Sequence, residues 1–338
     1  MIDFSTKYLG LKLKGPIVVS STPLSQPPGN ARRMEDSGAG AIVLHSLFEE
    51  QLILESAALD ADLSRGTESF AESLGYLPDL ADYKMTHEVY LEHLRTVKSA
   101  VQIPVIASLN GATPGGWVRF ATEIEQAGAD AIELNTFALA TDPRVEAAHV
   151  ESQLMELVAD VVDCVKIPVA VKLSPYYTSL PNVAARLDRC GARGLVLFNR
   201  FYQPQFDIET LEVKPSLHFS VSGELPLRLH SVAILFGHIG ADMAITGGVY
   251  SAKDVLECIM AGANVAMMAS ALHVHGIEHI GRVLGNVERW MNEHNYDSLS
   301  QMCGSLSRRY APDSSPYDRG NYIKTLSSYT MRETTPVF

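Results

Sequence analysis

Long apolar runs are missing from this chain of 338 residues, and no window approaches the roughly 18 uninterrupted apolar positions that a membrane-spanning helix requires. A basic excess is missing as well. Lys and Arg number 27 against 39 Asp and Glu, a formal net charge of −12. Such a surface repels nucleic acid and anionic lipid alike, so neither is expected as a partner, although a small basic pocket for one phosphate is compatible with it. Cysteine is scarce. Cys164, Cys190, Cys258 and Cys303 lie far apart with no Cys-x-x-Cys pair, which excludes the usual zinc and iron–sulfur signatures and leaves four reduced thiols and no expected metal. The first residues carry no basic segment followed by an apolar one, so a cytoplasmic location is expected. There is also no Gly-x-Gly-x-x-Gly turn, and with it goes the doubly wound dinucleotide-binding sheet.

What is present is the composition of an ordinary globular protein, 46% hydrophobic and 20% charged. Eight short apolar runs, 16–20, 41–45, 104–109, 131–135, 169–173, 194–199, 242–246 and 264–269, predict parallel strands buried on both faces. Helical periodicity fills the gaps at 31–36, 87–100, 117–127, 150–165, 183–190, 231–238, 252–261 and 277–293. One phrase recurs at five joints: Ser37-Gly-Ala-Gly, Ala127-Gly-Ala-Asp, Cys190-Gly-Ala-Arg, Ile239-Gly-Ala-Asp and Ala261-Gly-Ala-Asn. Its glycine suits the left-handed position that stops a helix just before the next strand. Strand–helix units repeated eight times predict an α/β fold, the TIM (β/α)8 barrel, over 1–306, with long loops at 46–86 and 200–226 and a C-terminal extension at 307–338.

A barrel of this kind carries its site at the C-terminal strand ends. Strand seven ends in Thr246-Gly247-Gly248 and strand eight in Ala269-Ser270, two loops able to cradle one phosphate; the alternative for Gly-Gly is a plain tight turn. Lys172 sits among apolar neighbours in Val-Lys-Leu-Ser-Pro and needs a counter-charge. Three uses are open: the N1/C2 edge of a flavin, a Schiff base, or a structural salt bridge. The remaining ends carry neutral groups, Ser20, Ser21, Ser108, Asn110, Asn135 and Asn199, which suit a heterocycle with alternating C=O and N–H groups better than they suit hydrolysis. His273, His275 and His279 read as a solvated helix face rather than a metal site.

With these residues in place, the sequence from Asp3 to about Glu293 resembles the dihydroorotate dehydrogenase family of FMN-dependent TIM barrels. The opening Asp3-Phe-Ser-Thr through Pro16-Ile-Val-Val-Ser-Ser21 is similar to that family's start, and Lys172 matches its flavin lysine. Asn135 and Asn199 match asparagines shared by flavin and substrate, Ser222-Gly223 a flavin-contacting segment, and Thr246-Gly247-Gly248 with Ala269-Ser270 the phosphate loops. The resemblance implies FMN as cofactor, a small-molecule substrate, pyrimidine biosynthesis as setting, and a homodimer without a membrane-associating extension.

Three departures from the family pattern stand out. The proton-abstracting residue is expected in Asn-x-Ser-Cys/Ser-Pro-Asn, where this chain reads Asn135-Thr-Phe-Ala138-Leu-Ala, and alanine accepts no proton. Thr136 is a nearby substitute, and Asp142, His149 and Tyr202 reach in only if loops fold over. The family's strand-two lysine is replaced by His45 in Leu-His-Ser, either a proton donor or a neutral hydrogen-bonding replacement. The substrate loop, Glu72-Ser73-Leu74-Gly75-Tyr-Leu-Pro78-Asp79, carries acids where amides are expected, which disfavours an orotate carboxylate. The expectation is thus an FMN oxidoreductase acting on the CH–CH group of dihydroorotate or a related cyclic compound. Its rivals are a flavin electron-transfer module or non-catalytic subunit with a redox partner protein, and an aldolase-type barrel using Lys172 as Schiff base.

Overall fold

Period-two alternation decides which way each strand faces, and in this chain it divides the apolar residues into two sets. In the computed structural model, which describes residues 2–48, 87–111, 117–136, 139–200 and 204–327, eight parallel strands close on themselves. They are β3 (Ile17–Val19), β4 (Ala41–Phe48), β5 (Val105–Gly111), β6 (Ala131–Thr136), β7 (Val169–Leu173), β8 (Gly194–Leu197), β11 (Asp242–Thr246) and β12 (Val265–Met268), with β8 paired to β11 and β12 to β3. Val18, Val43, Ile106, Ala131, Ala170, Val196, Ala244 and Val265 fill the interior. Their strand neighbours, such as Ile17, Ile42, Val105 and Ile132, pack outward against the helices in the larger core. The fold is the expected TIM barrel.

The helices are α1 (Pro28–Asp36), α2 (His87–Ala100), α3 (Trp117–Gln126), α4 (Ala147–Cys164), α5 (Leu180–Arg189), α6 (Leu225–Leu235), α7 (Ala252–Ala261), α8 (Ser270–His275), α9 (His279–Glu293), α10 (Leu299–Met302) and α11 (Tyr322–Ser327). Four of the five repeated joints end as their glycine dictates, with Gly38, Gly128, Gly191 and Gly262 at positive φ. The fifth departs. Helix α6 stops at Leu235, Gly237 takes the positive φ, and the Gly240 N–H instead donates to Asp188. This helix also starts six residues before the expected 231, because Pro226 occupies a first-turn position that needs no N–H. The single helix expected at 277–293 is preceded by α8, and Gly276 at φ 83° separates the two.

Two hairpins were not foreseen. The first, β1 (Thr6–Tyr8) with β2 (Leu11–Leu13), inserts Tyr8, Leu9 and Leu13 into the barrel's lower end and plugs it. The second, β9 (Gln205–Asp207) with β10 (Glu212–Lys214), lies within the loop after β8. The start of the extension packs on α6, where the Arg308 N–H donates to the Ala233 carbonyl and the rings of Phe236 and Tyr310 meet at 6.0 Å, and just before it the Leu306 N–H donates to the Met260 carbonyl on α7. All four cysteines are free thiols. Among the described residues, no helix is long and apolar enough to cross a membrane.

Candidate active site at the barrel mouth

Above the apolar interior, the inward-facing positions turn polar. On β6, Ala131, Glu133 and Asn135 share one parity, and on β7 so do Ala170 and Lys172; the sheet register sets Asn135 opposite Lys172 and Asn110 opposite Asn135. A cavity of about 390 Å³ opens over this layer, bordered by Ser20, Ser21, His45, Ser46, Asn110, Asn135, Lys172, Asn199, Arg200, Ser220, Arg228, Thr246, Gly247, Gly248, Ala269 and Ser270. Most of the residues nominated for cofactor binding therefore meet around one hollow. The Asn135 Oδ1 atom is buried and has no protein partner among the described residues, which marks a place for a donor from a bound molecule.

Lys172 is buried and lies 3.3 Å from the carboxylate of Glu133, itself 1% exposed. The sequence reading overlooked this carboxylate, although its parity with Asn135 was the available signal. The structural salt bridge and the cavity-facing position now coexist in one lysine.

A line of hydroxyls runs along the mouth. Ser21 and Ser46 lie 3.2 Å apart at Oγ, Ser46 and Ser108 lie 2.8 Å apart, and Ser20 meets Thr246 at 3.1 Å. Ser108 is fully buried in the wall behind Ser46 and is clamped by the Tyr90 hydroxyl, which accepts from its N–H at 2.9 Å. Ser46 faces inward because the β4–β5 register slips between Val43 and Ser46. The same slip sets the His45 ring on the cavity border against Tyr90 and His93, each 5.3 Å away between ring centroids. Burial, and then the neighbouring His93, lowers the His45 pKa to about 4, so the ring is neutral at physiological pH.

At the other end, Gly247 and Gly248 both have φ of 88°, a conformation that side chains resist. Ser220 links the two loops: its hydroxyl donates to Ser270 Oγ at 2.9 Å and accepts the Gly248 N–H at 3.2 Å. Ser222 and Gly223 lie two to three residues farther on, in an exposed 3-10 turn that leads into α6, and they do not border the cavity. His273 does border it, with Nε2 2.7 Å from the Thr22 hydroxyl and its ring stacked on Phe219. Neither His273 nor Ser220 was singled out from sequence as part of the site.

Thr136 points elsewhere. Its hydroxyl donates to the Lys172 carbonyl at 3.3 Å, and the residue lines a separate hollow with Leu139, Ser174 and Tyr177. Asp142 is tied to Arg144 at 2.7 Å, and hydrogen bonds from that arginine hold its carboxyl below the usual range. His149 is exposed on α4. Ser73, Leu74, Gly75, Ala138 and Tyr202 lie outside the described residues. Among the described residues, no three His, Cys, Asp or Glu side chains come together to hold a metal.

The comparisons with known proteins point the same way. The family model described as dihydroorotate dehydrogenase matches residues 4–291. A protein of Aeropyrum pernix, provisionally named dihydroorotate dehydrogenase A (fumarate), is 28% identical, covering 90% of this chain and 98% of its own length. The dihydroorotate dehydrogenase B (NAD(+)) catalytic subunits of Pyrococcus abyssi and Thermoplasma acidophilum are 26% and 25% identical. They cover 87% and 91% of this chain, and 96% and 100% of their own lengths. With most of its length matched and the barrel intact, this chain belongs to the dihydroorotate dehydrogenase family.

Proposed function

We propose that the chain is an FMN-dependent oxidoreductase of the dihydroorotate dehydrogenase type, acting on the CH–CH group of dihydroorotate or a related small cyclic substrate, with hydride passing to or from flavin N5. The observation that carries this reading is the pairing of Lys172 with Asn135 across β6 and β7, on the same cavity that ends at Gly247 and Gly248. The residues present fit an FMN: Asn135 Oδ1 is buried and seeks a donor, Lys172 offers a cation, and the positive-φ glycines leave room for close backbone approach. A bound flavin supplies the hydride acceptor and donor.

The chain's own residues bind, orient and move protons. Lys172 would hold the N1/C2 edge of a bound flavin and stabilise negative charge there. Asn110, Asn135 and Asn199 present donors and acceptors to flavin and substrate, while Ser20, Ser21, Thr246 and Ser270 line the route to the phosphate end. Of the two residues nominated for proton transfer, His45 is the better placed, since its neutral imidazole borders the cavity and both donates and accepts, whereas the Thr136 hydroxyl is committed to Lys172. Ser73, Leu74 and Gly75, in the stretch of sequence that follows β4, would contact substrate. A cytoplasmic homodimer is the expected setting.

A second reading keeps the flavin and drops the chemistry. Ala138, in place of a proton acceptor, favours an electron-transfer role beside a redox partner protein, and relatives such as those of Pyrococcus abyssi and Thermoplasma acidophilum are named as catalytic subunits. Anaerobic mixing with dihydroorotate separates the two. Bleaching of the flavin, even slowly, supports the first; a flavin that dithionite reduces and dihydroorotate leaves oxidised would exclude the family's usual reaction.

A further inference from the structure

Two guanidiniums share one carboxylate beside the Gly247-Gly248 turn. Arg228 on α6 is 6% exposed, and each part of its head is spoken for. The Nε–H donates to the Thr246 carbonyl at 2.6 Å, Nη1 to the Glu224 carbonyl at 2.6 Å, and Nη2 reaches the Glu224 carboxylate at 3.4 Å. Arg200, on the cavity border, donates to the other oxygen of Glu224 at 2.9 Å. The planar head lies so close under Gly247 that a Cβ there would sit 2.8 Å from Nη2 and 3.0 Å from Nε.

Burying an arginine costs several kcal/mol unless its charge is matched. Here one carboxylate serves two arginines, so among the described residues this end of the cavity keeps one positive charge in excess. Among the described residues the other buried cation, Lys172, is matched one to one by Glu133. Burial is the main influence lowering the pKa of Arg228; Glu224 pulls it back up, and the neighbouring charge of Arg200 adds a smaller downward push, so the two arginines also repel each other. An anion in the adjoining turn relieves that repulsion.

We propose that Arg228, braced with Arg200 by Glu224, is a positioning residue for the terminal phosphomonoester of the bound cofactor. It fixes the Thr246-Gly247-Gly248 turn through the Thr246 carbonyl and supplies the unmatched charge that a phosphate dianion requires. The proposal rests on the flavin reading above. It adds that discrimination for the phosphate resides in this arginine pair, and not in the glycine turn and hydroxyls alone.

The test compares FMN with riboflavin, which lacks the phosphate, by quenching of flavin fluorescence on the 338-residue chain freed of co-purified flavin. The wild-type chain is expected to prefer FMN. Arg228→Gln should weaken FMN binding by about thirtyfold or more, the range for removing one partner of a buried charge pair, and leave riboflavin binding within about threefold. Arg200→Gln should reduce the same preference and serves where Arg228→Gln does not fold, as judged by its melting curve. A wild-type chain that prefers FMN, with both variants keeping that preference, overturns the proposal alone. Equal wild-type affinity for the two flavins overturns the phosphate role of the whole turn. A wild-type chain that binds neither flavin overturns the flavin reading, and the proposal with it.

Discussion

Lys172 Nζ lies 3.3 Å from Glu133 Oε1, with the lysine 7% and the glutamate 1% exposed. A pair this deep contributes little net stability, but removing one partner strands the other charge in a medium that solvates it poorly. Glu133→Gln is therefore expected to destabilise the fold by about 3 kcal/mol, read from urea unfolding. The double variant Glu133→Leu with Lys172→Met should recover most of that loss. A single variant within about 0.5 kcal/mol of wild type would show that solvent in the mouth already screens the lysine.

Gly247→Ala should fail for two reasons at once. Its φ of 88° strains any L side chain, and the new Cβ would meet an Arg228 head that the Thr246 carbonyl holds in place. A cost of about 1–3 kcal/mol is expected in thermal or chemical melts. Gly29→Ala is the matched control: it lies in α1, with nothing within 4 Å of its added Cβ, and should be neutral or stabilising.

The acid side of the stability profile should carry the signature of His45. Its pKa in the fold is about 4, against 6.5 when unfolded, so the unfolded chain binds more protons between those values. The stability owed to keeping this ring neutral is complete above about pH 6.5 and falls away as the pH drops toward 4, by on the order of 3 kcal/mol. Burial lowers His93 in the same direction. His45→Gln should flatten the fall in melting temperature between pH 6.5 and 4, and a variant as steep as wild type would contradict the assignment.

Ala138 offers a gain-of-function test of the missing base. If the family's reaction is slow here for want of a proton acceptor at this position, Ala138→Ser or Ala138→Cys should speed flavin reduction by dihydroorotate about 100-fold or more in anaerobic stopped-flow. An unchanged rate would place the obstacle in substrate recognition, where the sequence sets Glu72 and Asp79 in the segment proposed to meet the substrate.

The barrel was legible because its signals are local. Buried strands such as 169–173 and 242–246 read as short apolar runs, and the recurring Gly-Ala phrase marks where helices stop. Lys172, Asn135 and Gly247 were legible because strand ends of a known barrel point to one place. What escaped depends on contacts between distant segments. Glu133 reads as one acid in an apolar strand until β7 sets Lys172 beside it, and Ser46 turns inward only through a register slip against β5. Arg228 hides in a helix whose first residues read as loop, and Ser220 becomes part of the site only when Gly248 and Ser270 fold onto it.

The central claim is that this cavity holds FMN, and the absorption spectrum of the purified protein tests it most directly. The account predicts a yellow protein with flavin bands in the visible range and about one FMN released per chain on denaturation, with Asn135→Ala and Lys172→Ala lowering that content. A colourless protein that takes up no FMN on reconstitution would contradict it.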